Sequence, residues 1–273
     1  MMSFLPEIFQ YDFMIRAFIA GTMIAIIAPL IGNFLVIRRY ALFADSLAHV
    51  SFLSVAIAFI TGISPIGVSV TGSVIAAVIL EKLRITKRVH TETSLALFLS
   101  GSLALATVLL SFKKEASLNI SSILFGSITT VPMSDLITIC IAAIVGILLI
   151  LIFFKEFFTI AFDEEYALVK GIPVQKLNYL LMILAAVTIS ISITVIGVLL
   201  ISAMMVIPVI TAHQFKKSFQ TSVALSIIFA VGSVWIGLAV AFYGNLPAGG
   251  TIVLTAITAF IISSIFRKKT SQG

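Results

Sequence analysis

The chain has 273 residues, of which 60% are hydrophobic and 10% charged, and its mean hydropathy is +1.23. Soluble domains carry about 25% charged residues, so this composition excludes a domain built to work in water. The net charge of +6 would suggest nucleic acid in a soluble protein. Here the basic residues fall between apolar runs and report membrane topology, so no nucleic-acid partner is expected.

A bilayer core about 30 Å thick takes roughly 20 apolar residues per helix. The length therefore allows eight or nine crossings in one transmembrane domain covering residues 1–273. Residues 1–13 hold Glu7 and Asp12 and no basic stretch, unlike a cleaved signal peptide. The charge-free stretch 17–37 is the first predicted span and ends at Arg38 and Arg39. The next gap, 46–80, is too long for one crossing. Gly62-Ile63-Ser64-Pro65 divides it into spans near 41–61 and 65–82. Spans at 93–112 and 136–154 follow. Residues 177–212 are again too long for one span, and Gly197 is the expected break, giving two helices or one helix and a short re-entrant piece. Tyr243-Gly244-Asn245-Leu246-Pro247 divides 218–266 into the last two. Nine apolar segments result, one of which need not cross fully. The fold class is all-α, a polytopic transmembrane helical bundle.

With the N-terminus outside, only Arg16, Lys113 and Lys114 of the 17 Lys and Arg fall on the outer side. The positive-inside rule then places the C-terminal Arg267-Lys268-Lys269 in the cytoplasm. Two loops exceed simple connectors. Residues 113–134 are outside and rich in Ser and Thr. Residues 155–176 are inside, and Asp163-Glu164-Glu165 at one end with Lys170-Gly171 at the other fit a short capped helix on the membrane surface. No Gly-rich phosphate loop followed by Lys-Ser or Lys-Thr occurs, so the chain shows no ATP-binding motif of its own. The single cysteine, Cys140, cannot form an internal disulfide or a cysteine metal cage and reads as a packing residue.

A charged side chain near the bilayer centre costs at least about 2.5 kcal/mol, and most acids here avoid this at span ends. Asp45 and His49 do not. Their spacing of four puts both on one face of the second span. A carboxylate oxygen and a neutral imidazole suit a first-row divalent cation. Two ligands are too few for a specific site, but a twofold homodimer with this helix on its axis would supply two Asp and two His. That set holds zinc tetrahedrally, or manganese with added waters. The residues alone leave two other readings open: the pair only bonds internally or to a neighbouring helix, or it lies near the inner face, close to Arg38 and Arg39. His90 and Glu92 lie at the inner mouth of the fourth span. They fit a second cation stop, but a solvated helix start capped by Thr91 is the favoured reading. His213 reads as interfacial, and Met204, Met205 and Trp235 as packing residues.

Three motifs in order carry a family resemblance. The first runs from Gly32 through Arg38-Arg39 to Asp45 and His49, a glycine, paired arginines and a D-x-x-x-H element. The second is Val195-Ile196-Gly197-Val198 continuing to Met204-Met205-Val206-Ile207-Pro208. The third is Leu246-Pro247-Ala248-Gly249-Gly250-Thr251 before the last span. Together they resemble the permease subunits of ABC-type zinc and manganese importers, the ABC-3 family, over essentially the whole chain. The resemblance is greatest to zinc permeases of Gram-positive bacteria. It implies a homodimer in the bacterial cytoplasmic membrane, two cytoplasmic ATP-binding subunits that hydrolyse ATP, and an extracytoplasmic metal-binding protein that docks on the outer loops. It places the metal on Asp45 and His49. It makes 155–176, with Asp163, Glu164, Glu165 and Gly171, the segment that couples to the ATPase. The cargo expected is zinc, with manganese second and iron a further alternative; no permanently bound cofactor is expected. The inward route would pass His90 and Glu92.

Three rival readings have clear discriminators. A proton- or sodium-coupled secondary transporter with Asp45 as carrier would work without an ATPase. An intramembrane enzyme would need a further carboxylate or metal ligand within a span. A scaffold leaves the cost of Asp45 unexplained.

Overall fold

The computed structural model describes residues 7–86, 91–112, 124–126 and 131–270. Among the described residues a short 3-10 turn, Glu7–Gln10, precedes eleven α-helices and no strand occurs. They are α1 (Asp12–Ile37), α2 (Ala41–Thr61), α3 (Pro65–Thr86), α4 (Thr91–Ser111), α5 (Met133–Ile152), α6 (Phe154–Phe162), α7 (Glu164–Val169), α8 (Val174–Ile196), α9 (Val198–His213), α10 (Phe219–Gly244) and α11 (Ala248–Thr270). Eight of them, α1–α5, α8, α10 and α11, are long and apolar enough to cross a membrane. The all-α polytopic bundle expected from the sequence is thus the observed fold.

Local chemistry sets the helix ends. Gly62 at φ 74° closes α2, and Pro65 opens α3 at the first helical position, where its missing N–H costs nothing. Asn245, at φ 50°, closes α10, and the Leu246 N–H reaches back to the Ala241 carbonyl. The Ser218 side chain caps the start of α10 by accepting from the Thr221 N–H.

Gly197 separates α8 from α9 without a loop, at φ 93° and ψ 158°, a conformation that favours glycine. Helix α9 has 16 residues and rises only about 24 Å, short of a 30 Å core. Its broken end is covered by protein: a Cβ at Gly197 would meet the backbone of Leu124, Phe125 and Gly126. Irregular backbone at membrane depth requires this kind of cover.

Contacts at one end of the bundle fix the chain's direction. Arg38, just past α1, donates to Asn178 in the first turns of α8 at 2.7 Å. His213, closing α9, lies 3.3 Å from Asn33 in the last turns of α1. Asn33 also donates to Ser226 of α10 at 2.8 Å. Ser263, near the end of α11, donates to Gln214 just past α9. The start of α8, the end of α9 and the end of α11 therefore gather at the C-terminal end of α1. Helices α8 and α9 leave that end and return to it, and the start of α1 and the end of α11 lie at opposite ends.

Lipid tails are as apolar as leucine, so membrane helices associate through close packing and interhelical hydrogen bonds. Ser51 of α2 lies within 2.7–3.0 Å of Ser69 and Ser73 of α3 and Ser190 of α8, all buried. Gly32 of α1 packs against α9 so closely that a Cβ would run into the Met205 carbonyl oxygen. Overpacking a core costs about 1–3 kcal/mol, and here the obstacle is backbone, which cannot rotate away. We expect Gly32→Ala to lower the melting temperature of the purified protein and reduce its yield from membranes. A wild-type melting curve would show that the two helices can separate at no cost.

Candidate metal centre and coupling surface

Asp45 sits in the second turn of α2 and His49 one turn further on, about 6 and 12 Å from the helix start. The His49 Nε2 to Asp45 Oδ1 distance is 4.0 Å. This is too long for a hydrogen bond, so the pair does not satisfy itself. The Asp45 Oδ1 instead accepts from the Ser202 hydroxyl of α9 at 3.2 Å. The His49 Nδ1 is buried and has no hydrogen-bond partner. Two ligands about 2.1 Å from one ion are at most about 4.2 Å apart, so both side chains can reach a single ion with a small inward movement.

The Asp45 side chain is 38% exposed and that of His49 10%. Asp45 lies on a stripe of α2 that also exposes Leu42 and Ile57 and half-exposes Leu53. Ser202, Val206 and Ile210 of α9, all half-buried, continue this open face. A carboxylate facing hydrocarbon is costly, so this stripe is not an ordinary lipid-facing surface. Among the described residues no group of three or more His, Cys, Asp and Glu side chains converges on a metal position. The described residues of one chain therefore bring together two candidate ligands, Asp45 and His49.

Of the other predicted cation residues, His90 lies outside the described residues. Glu92 is exposed in the first turn of α4, where an acid suits a solvated helix start. Met204 and Met205 are fully buried, as packing residues. Trp235 donates to Thr22 at 3.0 Å and packs edge-on against Phe18, also a packing role. Cys140 is a half-buried free thiol packed against the core.

The segment 155–176 holds two helices where one was expected. Helix α6 places Phe154, Phe158 and Phe162 around Phe219, with ring centroids 5.1–6.0 Å apart. Helix α7 is the predicted capped helix. The Asp163 side chain accepts from the Tyr166 N–H at 2.9 Å, capping the start. Gly171, at φ 75°, ends it, with the Ile172 N–H bonded to the Ala167 carbonyl. Glu165 is exposed, and so are Tyr166, Leu168 and Val169, the last at 85%.

Glu164 points the other way, into the bundle. Its carboxylate accepts from Arg38 at 3.2 Å and from the Asn178 amide at 3.3 Å, and lies 3.7 Å from Arg84. Arg84 in turn donates two bonds, of 2.9 and 2.7 Å, to the fully buried Glu81. The Tyr40 ring lies under both guanidinium groups, at 4.9 and 5.7 Å. One carboxylate on α7 thus meets the corner between α1 and α2, the end of α3 and the start of α8. Arg38 opens the corner that leads directly into the Asp45 turn. The sequence signalled Arg38 and Glu164 separately, but nothing local joins residues 126 apart. Ser202 lies within the second motif, but nothing in the sequence singles it out.

The architecture is that of a multi-pass helical membrane protein with an Asp-His pair open on one face. The family model described as the ABC 3 transport family matches residues 10–267. A relative from Treponema pallidum, described as a probable metal transport system membrane protein, is 34% identical over 93% of this chain and 95% of its own. The manganese transport system membrane protein MntC of Listeria monocytogenes is 31% identical over 98% and 95%. The high-affinity zinc uptake system membrane protein ZnuB of Haemophilus influenzae is 27% identical over 95% and 100%. Among solved structures, PsaBC from Streptococcus pneumoniae in complex with Fab matches at a TM-score of 0.84 and 30% identity, over 94% of this chain and 92% of that one. The chain belongs to the ABC 3 transport family.

Proposed function

We propose that the chain is the membrane-spanning permease subunit of an ATP-driven importer of divalent transition-metal ions in a bacterial cytoplasmic membrane. It is not itself an enzyme; two cytoplasmic ATP-binding partners hydrolyse ATP, and an extracytoplasmic metal-binding protein delivers the ion. The observation that carries the reading is Asp45, a half-exposed carboxylate inside a membrane helix, not hydrogen-bonded to the histidine one turn away.

A second copy docked on the open α2–α9 face would take Asp45 out of lipid contact and supply the missing ligands, two Asp and two His around one ion. The end bearing α7 and the end of α11 faces the cytoplasm in this reading, because nearly all Lys and Arg outside the spans lie there. The exposed Tyr166, Leu168 and Val169 of α7 are then the contact for the ATP-binding partner. ATP-driven movement of α7 reaches α1, α3 and α8 through Glu164 and tilts the Asp45 turn toward the inner side.

Relatives described for manganese and for zinc match at similar identity. An N₂O₂ set closes around tetrahedral zinc without added water, whereas manganese takes further oxygens. We therefore place zinc first and manganese second. The test is uptake of each ion by the assembled complex in proteoliposomes. ATP-dependent zinc uptake, insensitive to proton and sodium gradients, is the expected result. Uptake without ATPase subunits that collapses with a proton gradient would favour secondary transport. ATP-dependent manganese uptake with no accompanying zinc uptake would reverse the order of cargo and leave the site in place.

A further inference from the structure

We propose that Ser202 is the positioning residue for Asp45, so that the ion site of one chain is built from two helices, α2 and α9. The inference rests on the metal reading given above. Serines within helices commonly bond back to the carbonyl one turn earlier, as Ser54 does to Val50, Ser192 to Thr188 and Ser233 to Phe229. The Ser202 hydroxyl instead crosses from α9 to α2 and donates to Asp45 Oδ1 at 3.2 Å. Oδ1 is also the oxygen 4.0 Å from His49 Nε2. The serine therefore fixes the rotation of the carboxylate about its last bond, with one edge turned toward the imidazole.

This arrangement has the chemistry of an outer-shell contact. A hydroxyl that donates to a ligating carboxylate orients it and tunes its basicity without binding the ion itself. The Asp45 side chain is otherwise free to turn on an open face. Its rotation would be lost on each binding event unless it were held beforehand. The donor also comes from the helix that begins at the Gly197 break, so the orientation of Asp45 depends on where α9 lies.

The test is zinc and manganese affinity of the assembled complex in nanodiscs, measured by chelator competition. Outer-shell partners of metal ligands contribute roughly 10–100-fold in affinity, so Ser202→Ala is expected to weaken binding by about 10-fold or more. Ser202→Thr, which keeps the hydroxyl, is expected to restore it. In an Asp45→Asn background, titrated to metal concentrations high enough to saturate the weaker site, Ser202→Ala should add little, because the group it positions has lost its charge. Melting curves of each variant separate a folding defect from a site effect. Wild-type affinity in Ser202→Ala, failure of Ser202→Thr to rescue, or a full additive loss in the Asp45→Asn background would overturn the assignment. If Asp45→Ala and His49→Ala themselves bind metal normally, the metal site is wrong; if they fail while Ser202→Ala binds normally, only the role of Ser202 is.

Discussion

Replacing Asp45 or His49 by Ala is expected to reduce metal uptake by the assembled complex about 100-fold or more, while the protein still folds and reaches the membrane. Outer-shell changes at metal sites cost roughly 10–100-fold, and loss of a direct ligand exceeds this. With twofold symmetry each substitution removes two of four ligands at once. Folding survives because neither side chain anchors the bundle. Asp45 makes its hydrogen bond to a single serine, and the His49 Nδ1 has no hydrogen-bond partner. Asp45→Ala also removes a carboxylate from an open membrane face, which lowers the cost of inserting the chain. A variant that expresses as well as or better than wild type but does not transport is therefore the expected signature. Uptake assays with melting curves on the same preparations measure both halves. Loss of transport accompanied by unfolding would mean that the pair is structural.

The second large effect is at Glu164. Glu164→Ala is expected to cut uptake at least about 10-fold and to abolish stimulation of ATP hydrolysis by the loaded metal-binding protein. The complex should still assemble, because the exposed face of α7 that carries Tyr166, Leu168 and Val169 is untouched. Removing one partner of a buried ion pair is costly because the other charge is stranded. Arg38 has a side chain only 6% exposed, but it keeps Asn178 and the face of Tyr40. Glu164 is 41% exposed, which weakens its pairing through solvent screening. The stability loss should be modest and the coupling loss large. Glu164→Gln retains an acceptor oxygen for Arg38 and should fall between. Parallel uptake and ATPase rates in proteoliposomes read this directly. Wild-type uptake in Glu164→Ala would show that force passes from α7 by another route.

Much of the fold could be read from the sequence because the bilayer itself imposes the element lengths. Gaps between charges, divided at Gly62–Pro65, Gly197 and Tyr243–Pro247, locate the crossings to within a few residues of the helices observed. The Gly197 break was legible because 36 uncharged residues, 177–212, exceed one span. Its outcome was not. Whether α9 crosses or re-enters depends on the Leu124–Gly126 cover and on the pairing of His213 with Asn33, both distant in sequence. Helix α6 falls inside the expected 155–176 loop, although the spacing of Phe154, Phe157 and Phe158 around Lys155 and Glu156 is an amphipathic signal. Asp45 and His49 stood out because they violate the apolar background. Ser202 did not, because serine is unremarkable in a membrane helix and its partner lies 157 positions away.

The central claim is that one ion is shared by two copies of the chain through Asp45 and His49. Metal content per permease chain, measured on the purified assembled complex after loading and desalting, tests it most directly. One ion for every two chains, lost in both Asp45→Ala and His49→Ala, is the predicted result. One ion per chain, or a half-equivalent that survives either substitution, would contradict it.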